Sequence, residues 1–101
     1  MSEYTPDFVT PLGTVLEVKG FLTQRDCTKI IKVAGIYQQM GVKYVLCPIL
    51  TPQQMRNLDH VANMKLGPAP RRGLQMCVWA FRQGIFYRAW DVNKPEMLSD
   101  L

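Results

Sequence analysis

Residues 42–50, VKYVLCPIL, form an almost wholly apolar run, and this run constrains the fold more than any other segment of the chain. A strand with one face in water alternates apolar and polar residues, whereas a strand covered on both faces is apolar throughout. The run is far shorter than the roughly 20 residues that a membrane-spanning helix needs. It therefore predicts a buried strand in a layered α/β domain.

An amphipathic helix is predicted immediately before this strand. Thr23 is a suitable N-cap, Asp26 suits the positive end of the helix dipole, and Gly41 is a typical C-terminal stop. Between them, apolar residues recur at helical spacing and form one stripe, made of Cys27, Ile30, Ile31, Ala34, Tyr37 and Met40. The helix should therefore pack on the sheet through this stripe.

A second helix is predicted directly after the strand. Thr51 is its N-cap, Pro52 occupies the first helical position, and Gln54 completes a capping box. Gly67 ends the helix, and its stripe consists of Met55, Leu58, Val61, Ala62 and Leu66. This stripe should also face the sheet.

Three further segments have the composition of strands. Residues 14–22, TVLEVKGFL, alternate in polarity, and Gly20 indicates a bulge. Residues 74–81 and 85–90 are rich in aromatics and are joined around residues 82–84, which predicts a β-hairpin. The resulting order, β-α-β-α-β-β, predicts an α/β domain with a mixed four-stranded sheet and two main helices. Helical crossovers make the first three strands parallel, and the hairpin adds an antiparallel one.

The chain of 101 residues has the size of one domain, which should span residues 14–101. Residues 1–13 contain two Thr-Pro pairs and predict an extended N-terminal arm, and residues 94–101 suggest a short helical turn. The first residues lack the basic and apolar segments of a signal peptide, and no membrane span is present. We therefore expect a cytoplasmic protein that does not bind a membrane.

Three widely spaced cysteines, Cys27, Cys47 and Cys77, bear on redox chemistry and metal binding. Their odd number and wide spacing predict reduced, mostly buried thiols rather than a disulfide framework. No C-x-x-C pair occurs, and His60, the single histidine, should be exposed and without a catalytic role. A Gly-rich phosphate loop is also missing, so we expect neither a metal nor a cofactor.

Cys27 precedes the segment GVKY (41–44) at the distance that separates a nucleophilic cysteine from the second strand in one known family. Over about residues 14–92 the order of elements resembles the thioredoxin-like fold, and the glutaredoxin branch fits best. In that branch a Cys-Pro-Tyr-Cys motif opens the first helix, and a G-V-x-[FY] segment starts the second strand. The resemblance implies a thioredoxin-like sheet and thiol–disulfide exchange at Cys27.

The matched motif is degenerate. Ile30 stands where the resolving cysteine of the family would lie, so the resemblance implies a monothiol protein. The cis-proline that precedes the third strand in the family has offset counterparts in Pro68 and Pro70.

Two interpretations of Cys27 stay open. As a nucleophile, it would be a thiolate at a helix N-terminus whose pKa is lowered by the helix dipole and by Arg25 and Lys29. As a packing residue, it begins the apolar stripe and is buried and inert. The neighbouring Asp26 opposes thiolate formation, and the stripe favours packing.

Arginines alternate with aromatic residues over residues 68–90. Such a surface can stack bases and neutralise phosphates, or it can form a protein-binding patch. Both faces of the predicted hairpin carry aromatics, so if helices cover one face, a partner or a second subunit should cover the other. The candidate binding residues are Arg71, Arg72, Trp79, Arg82, Tyr87, Arg88 and Trp90.

Three functions are compatible with these features. The preferred one is a small non-enzymatic binding or regulatory protein, of the kind encoded by phages and mobile elements, that docks this hairpin on a protein partner or on a second copy of itself. The second is a monothiol redox protein that uses Cys27, which would be the chain's one enzymatic activity. The third is nucleic-acid binding by the basic 71–88 region, which the net charge of +4 permits without requiring it.

Overall fold

The structure, a computed structural model, describes residues 7–91, Asn93 and Leu101. In chain order the elements are β1 (Phe8–Val9), β2 (Val15–Lys19), β3 (Phe21–Leu22), α1 (Gln24–Gln39), β4 (Tyr44–Leu50), α2 (Pro52–Met55), a 3₁₀ helix (Leu58–Asn63), β5 (Arg71–Arg72), α3 (Leu74–Gln83) and β6 (Trp90–Asp91). Residues 1–6 of the predicted arm and the helical turn predicted at 94–101, apart from Leu101, lie outside the described residues.

Four strands form one mixed sheet in the order β1-β2-β4-β6. β1 is antiparallel to β2, whereas β4 is parallel to both β2 and β6. The predicted α/β domain with a mixed four-stranded sheet is therefore confirmed, as is the parallel pairing of the first predicted strand with the apolar run 42–50. Of the other two strands, β1 was not predicted, and β6 overlaps the predicted strand 85–90 only at Trp90.

The segment predicted as one strand, residues 14–22, is divided at Gly20. The part before Gly20 is β2, a member of the main sheet, and the part after it is β3, which leaves the sheet and pairs antiparallel with β5. The glycine therefore marks the point where the strand changes partners. Within the predicted arm, Phe8–Val9 are extended and form β1 at the edge of the main sheet.

Helix α1 begins where the sequence predicts. Thr23 Oγ1 accepts a hydrogen bond from the Asp26 N–H, and Asp26 Oδ2 accepts one from the Thr23 N–H, at 3.1 and 2.9 Å. The helix buries Cys27, Ile30 and Val33. Ile31 and Met40, which were predicted to belong to the buried stripe, are exposed. The buried stripe is turned away from Ile31, because Val33 lies on the buried side and each residue turns the helix by about 100°. Met40 is exposed because it is the C-cap residue, at the end of the helix.

Helices α1 and α3 lie on one face of the main sheet. On that face, side chains of β2 and β4, including Val15 and Leu46, pack with α1 and α3. Alternate side chains point to the opposite face, where Leu16 and Val45 pack with Leu101. Leu101 of the same chain thus covers part of the second face. Both faces of β4 are buried, as its apolar composition predicts.

The predicted hairpin is wrong, because residues 74–83 form helix α3. Five consecutive residues of α3 are buried: Met76, Cys77, Val78, Trp79 and Ala80. A helix buried all round has the same continuous apolar composition as a buried strand, so this composition cannot distinguish the two. Gly84, predicted as part of a hairpin turn, has a left-handed φ of 70° and ends the helix instead.

The segment after α3 is also not the arm of a hairpin. It runs parallel to β4, first through a bridge between Leu46 and Tyr87 and then as β6. Because α3 has already reversed the chain direction, the segment enters the sheet as a parallel crossover.

The second predicted helix is shorter than expected. Thr51 and Gln54 form the predicted capping box, with both hydrogen bonds present at 3.0 and 3.2 Å. The α-helical part ends at Met55, where the Asn57 side chain donates to the Gln53 carbonyl at 3.0 Å, and a 3₁₀ helix follows. Such local side-chain bonds compete with the helical ladder. Among the described residues, no helix is long and apolar enough to cross a membrane.

Candidate functional site

Cys27 lies in the first turn of α1, with only 1% of its surface exposed. Its Sγ accepts a hydrogen bond from Arg71 Nη1 at 3.2 Å. The same guanidinium donates from Nε to the Gly67 carbonyl, also at 3.2 Å. The thiol and the guanidinium therefore form a fixed pair between the start of α1 and β5.

The pairing of β3 with β5 brings Arg71 to the thiol. Leu22, just before the N-cap of α1, is the register partner of Arg71. The Ala69–Pro70 peptide bond, immediately before β5, is cis. Arg72 points the other way, with its guanidinium carbon 4.9 Å from the centroid of the Phe21 ring.

The surroundings of Cys27 disfavour a thiolate. Burial raises the pKa of Cys27 above its usual value of 9.0, Arg71 opposes this increase through its charge and hydrogen bond, and Asp26 adds to it. Arg71, and not Arg25 or Lys29 as predicted, is the cation that acts on the thiol. The sequence offered no signal for this contact because 44 positions separate the two residues.

The other two cysteines are core residues, as predicted. Cys47 and Cys77 are free and buried, and burial raises the pKa of each to about 12. His60 is exposed, as predicted, and its Nε2 lies 3.8 Å from Asp59 Oδ1. Among the described residues, no group of three or more His, Cys, Asp or Glu side chains is placed to hold a metal ion.

The aromatic residues of the predicted binding surface are dispersed. Trp79 is 3% exposed and belongs to the core under α1, with Tyr87 packed at the edge of that core. Trp90 packs on the opposite face of the sheet, and its ring meets Phe8 edge-on at 6.5 Å between centroids. These three aromatics therefore do not form one surface.

The four arginines of the predicted surface also make separate contacts. Arg71 binds the Cys27 thiol, Arg72 lies over Phe21, and Arg82 Nη2 donates to the Met64 carbonyl at 2.9 Å. The backbone N–H of Arg88 donates to the Leu46 carbonyl at 2.8 Å as part of the sheet. Nucleic-acid binding by these arginines stays a prediction, with no feature of their arrangement to favour it.

An apolar groove of about 340 Å³ opens between α1 and the turn that follows α3. Its lining comprises Ile31, Ala34, Gly35, Gln38, Val42, Lys43, Tyr44, Gln83, Gly84, Ile85 and Phe86. Ile31 and Phe86 stand at its sides with 48% and 66% of their surfaces exposed, and Lys43 Nζ lies 5.8 Å from the centroid of the Phe86 ring. We call this feature the α1–α3 groove.

The backbone around Phe86 is fixed by hydrogen bonds. The Ile85 N–H donates to the Ala80 carbonyl at 3.0 Å, and the Phe86 carbonyl accepts from the Leu46 N–H at 2.9 Å. The exposure of the Phe86 side chain is therefore set by a well-bonded backbone and not by a loose loop. On the other side of the groove, Ile31 projects from the middle of α1.

The sequence predicted only part of this groove. Phe86 belongs to the aromatic-rich segment 85–90, but the sequence predicts a buried position for Ile31 and no role for Gly35. One feature of the sequence did point to this place: Gly35 lies inside the predicted helix, although glycine has a low helix propensity. α1 and residues 83–86 face each other across the groove because residues 74–83 form α3, and the sequence did not predict this helix.

Comparison of the chain with protein-family models, with curated proteins and with solved structures found no match.

Proposed function

We propose that the protein is a small non-enzymatic binding protein that docks on a protein partner through the α1–α3 groove. The observation that supports this function is the pair of exposed apolar side chains, Ile31 and Phe86, on opposite sides of one groove. Scattered exposed apolar residues are normal on a protein surface, whereas apolar residues gathered around a concavity mark binding sites. The thiol is buried and paired, and it offers no comparable access.

The C-terminal segment contributes to this site, but through Phe86 rather than through Trp79 or Trp90. Phe86 can act as an anchor because aromatic side chains lose little conformational entropy and bury a large area when they enter a complementary surface. The partner would bury Phe86 together with Ile31 and the small residues Ala34 and Gly35 of α1.

Affinity capture with matched variants tests this function. The immobilised protein is incubated with a lysate of the source organism, alongside the Phe86→Ala and Phe81→Ala variants. Phe81 is the matched control because it is 51% exposed on α3 but does not line the groove. We expect a partner that is captured by the wild type and by Phe81→Ala and is lost, by about tenfold or more, with Phe86→Ala. Equal capture by all three proteins would contradict the proposal.

A second candidate is a monothiol redox protein with a thioredoxin-like fold. Its support is the β2–α1–β4 unit with parallel strands, the position of Cys27 at the start of the crossover helix, and the Arg71 guanidinium on its Sγ. A guanidinium favours the thiolate, which is the reactive form of cysteine. Burial acts in the opposite direction.

Alkylation rates distinguish this candidate from an inert thiol. The folded protein is treated with iodoacetamide across a range of pH, and the modified cysteine is identified by peptide mass spectrometry. A redox protein requires Cys27 to react faster at neutral pH than a free thiol, while Cys47 and Cys77 stay unmodified. A Cys27 that reacts no faster than glutathione would rule out this candidate.

A further inference from the structure

We propose that the α1–α3 groove accepts an acidic amphipathic helix of the partner protein. This inference rests on the proposed function and specifies the chemistry of the partner. Three features of the groove support it: the state of its backbone hydrogen bonds, its charge, and a glycine that the fold does not require.

The backbone of the groove offers no strand edge to a partner. The N–H groups of Val42, Gly84 and Ile85 donate to carbonyls of the same chain, and the Phe86 carbonyl is paired with β4. An extended peptide that adds to a sheet needs free backbone donors and acceptors along the edge it joins. Recognition at this groove must therefore use side chains, as it does when the apolar face of a helix enters a hydrophobic groove.

The charge of the groove favours an acidic occupant. Among the described residues that line it, Lys43 is the one charged side chain. The neighbouring cation on α1, Lys32 after Ile31, is also exposed. An apolar helix with acidic residues beside its apolar face would place negative charge opposite these cations.

Within the part of the chain that the structure describes, no helix has an acidic face that a second copy could insert into the groove. Of the acidic residues that the structure describes, Glu17 and Asp91 are buried, and Asp26 is engaged in the cap of α1 and with Lys19. The exposed ones, Asp7 and Asp59, belong to separate segments, the first before β1 and the second in the 3₁₀ helix. We therefore commit to a different protein as the partner.

Gly35 makes room for a closely approaching helix. It lies in the interior of α1, its φ is not left-handed, and a Cβ added to it would meet no atom within 4 Å. The fold therefore gives no reason for glycine, which is unfavourable in a helix interior. At the floor of a groove, the missing side chain allows the backbone of α1 to be approached closely.

Two synthetic peptides test the proposal. Both are amphipathic helices with leucines at i, i+3, i+4 and i+7, and they differ in the residues beside the leucines, which are glutamates in one and lysines in the other. Binding is measured by fluorescence anisotropy, and the site is located from amide shifts in NMR spectra of the ¹⁵N-labelled protein. We expect the glutamate peptide to bind roughly tenfold more tightly than the lysine peptide. The shifts should be concentrated at Gly35 and Gly84, with Gly20 as the unaffected control.

Variants separate the contributions to this binding. Phe86→Ala should weaken binding of the glutamate peptide about tenfold, and Lys43→Glu should abolish the preference for it. Phe81→Ala and Lys65→Glu, which alter exposed residues outside the groove, should leave the affinity unchanged. Gly35→Gln should weaken binding while the melting temperature stays equal or rises, so that loss of binding cannot be attributed to unfolding.

Each contrary result has a distinct meaning. Equal affinity for the two peptides, or amide shifts at residues away from Gly35 and Gly84, would overturn the proposal that the groove accepts an acidic helix. If capture from lysate still depends on Phe86, the proposed binding function survives that result. Capture that is independent of Phe86 would instead overturn the proposed function. Concentration-dependent self-association that Phe86→Ala abolishes, measured by sedimentation, would show a second copy as the occupant and contradict the inference.

Discussion

At the scale of single residues, the environment of the Cys27 thiol depends on Arg71, a residue far away in the sequence. The apolar stripe of α1 predicts burial of this cysteine, and the structure confirms it. The hydrogen bond from Arg71 was not predictable, because it depends on the pairing of two short strands, β3 and β5. A thiol that is both buried and hydrogen-bonded to a guanidinium experiences opposed effects on its pKa.

Arg71→Gln should raise the pKa of Cys27 further. The guanidinium lowers this pKa through its charge and its hydrogen bond, so its removal leaves burial and Asp26 unopposed. The pKa is measured from the pH dependence of the Cys27 Cβ chemical shift in NMR spectra. Arg72→Gln is the matched control because Arg72 contacts Phe21 instead. An unchanged titration of Cys27 in Arg71→Gln would show that the guanidinium does not act on the thiol.

Trp79→Ala should lower the free energy of unfolding by about 3–5 kcal/mol, because it removes a large side chain from the core. Phe81 lies two residues further along α3 and is exposed. Phe81→Ala should therefore change the free energy of unfolding by no more than about 0.5 kcal/mol. Urea unfolding followed by circular dichroism measures both. Similar small losses for the two variants would contradict the position of Trp79 in the core.

At the scale of elements, starts of helices were predicted better than their lengths. The capping boxes at Thr23 and Thr51 depend on residues within one turn, so local sequence is sufficient to specify them. The length of a helix depends on what its apolar face contacts. The helix after Thr51 therefore ends after one turn, and α3 forms where a strand was predicted.

Thr23→Ala should destabilise the protein by about 1 kcal/mol. The Thr23 side chain accepts from the Asp26 N–H, which has no partner within the helix, and alanine cannot replace this bond. Urea unfolding measures the change, and Thr28→Ala serves as the control because Thr28 is exposed further along α1. Equal effects of the two substitutions would contradict a specific role of the cap.

The same cap should make stability depend on pH through Asp26. Burial alone would raise the pKa of Asp26, but hydrogen bonds from Thr23 and the charge of Lys19 outweigh it and hold the pKa below its usual 3.8. Because the folded pKa is the lower one, this stabilisation is complete well above pH 3.8 and is lost as pH falls through the folded value. Asp26→Asn should therefore show a weaker loss of stability between pH 6 and pH 3 than the wild type, measured by urea unfolding.

Asp59→Asn is the matched control for this pH dependence. Asp59 is exposed in the 3₁₀ helix and takes no part in the cap of α1. The Asp59→Asn variant should lose as much stability between pH 6 and pH 3 as the wild type does. A pH profile of Asp26→Asn that coincides with that of Asp59→Asn would contradict the assigned role of Asp26.

At the scale of the whole molecule, the three cysteines report on whether the core is one cooperative unit. Cys27, Cys47 and Cys77 lie in three different apolar clusters: the cluster under α1, the opposite face of the sheet, and the cluster beside the 3₁₀ helix. Strands β2 and β4 contribute side chains to more than one cluster, so the clusters should not unfold separately.

Thiol alkylation in increasing urea should therefore give one midpoint for all three cysteines. Each cysteine is buried and becomes accessible only when its own cluster opens. The extent of modification at each site is measured by peptide mass spectrometry after a short pulse of iodoacetamide. A cysteine that becomes reactive at distinctly lower urea than the others would contradict a single cooperative domain.

The sequence alone determined the fold class, the buried strand β4, both capping boxes and the burial of Cys47 and Cys77, and it favoured burial of Cys27. These features depend on local hydrogen bonds or on the apolar character of one segment, and both are visible in adjacent residues. The tertiary structure decided the helical state of residues 74–83, the contact between Arg71 and Cys27, and the groove between Ile31 and Phe86. Each of these depends on which segments meet in space, since a continuous apolar run satisfies a buried helix as well as a buried strand.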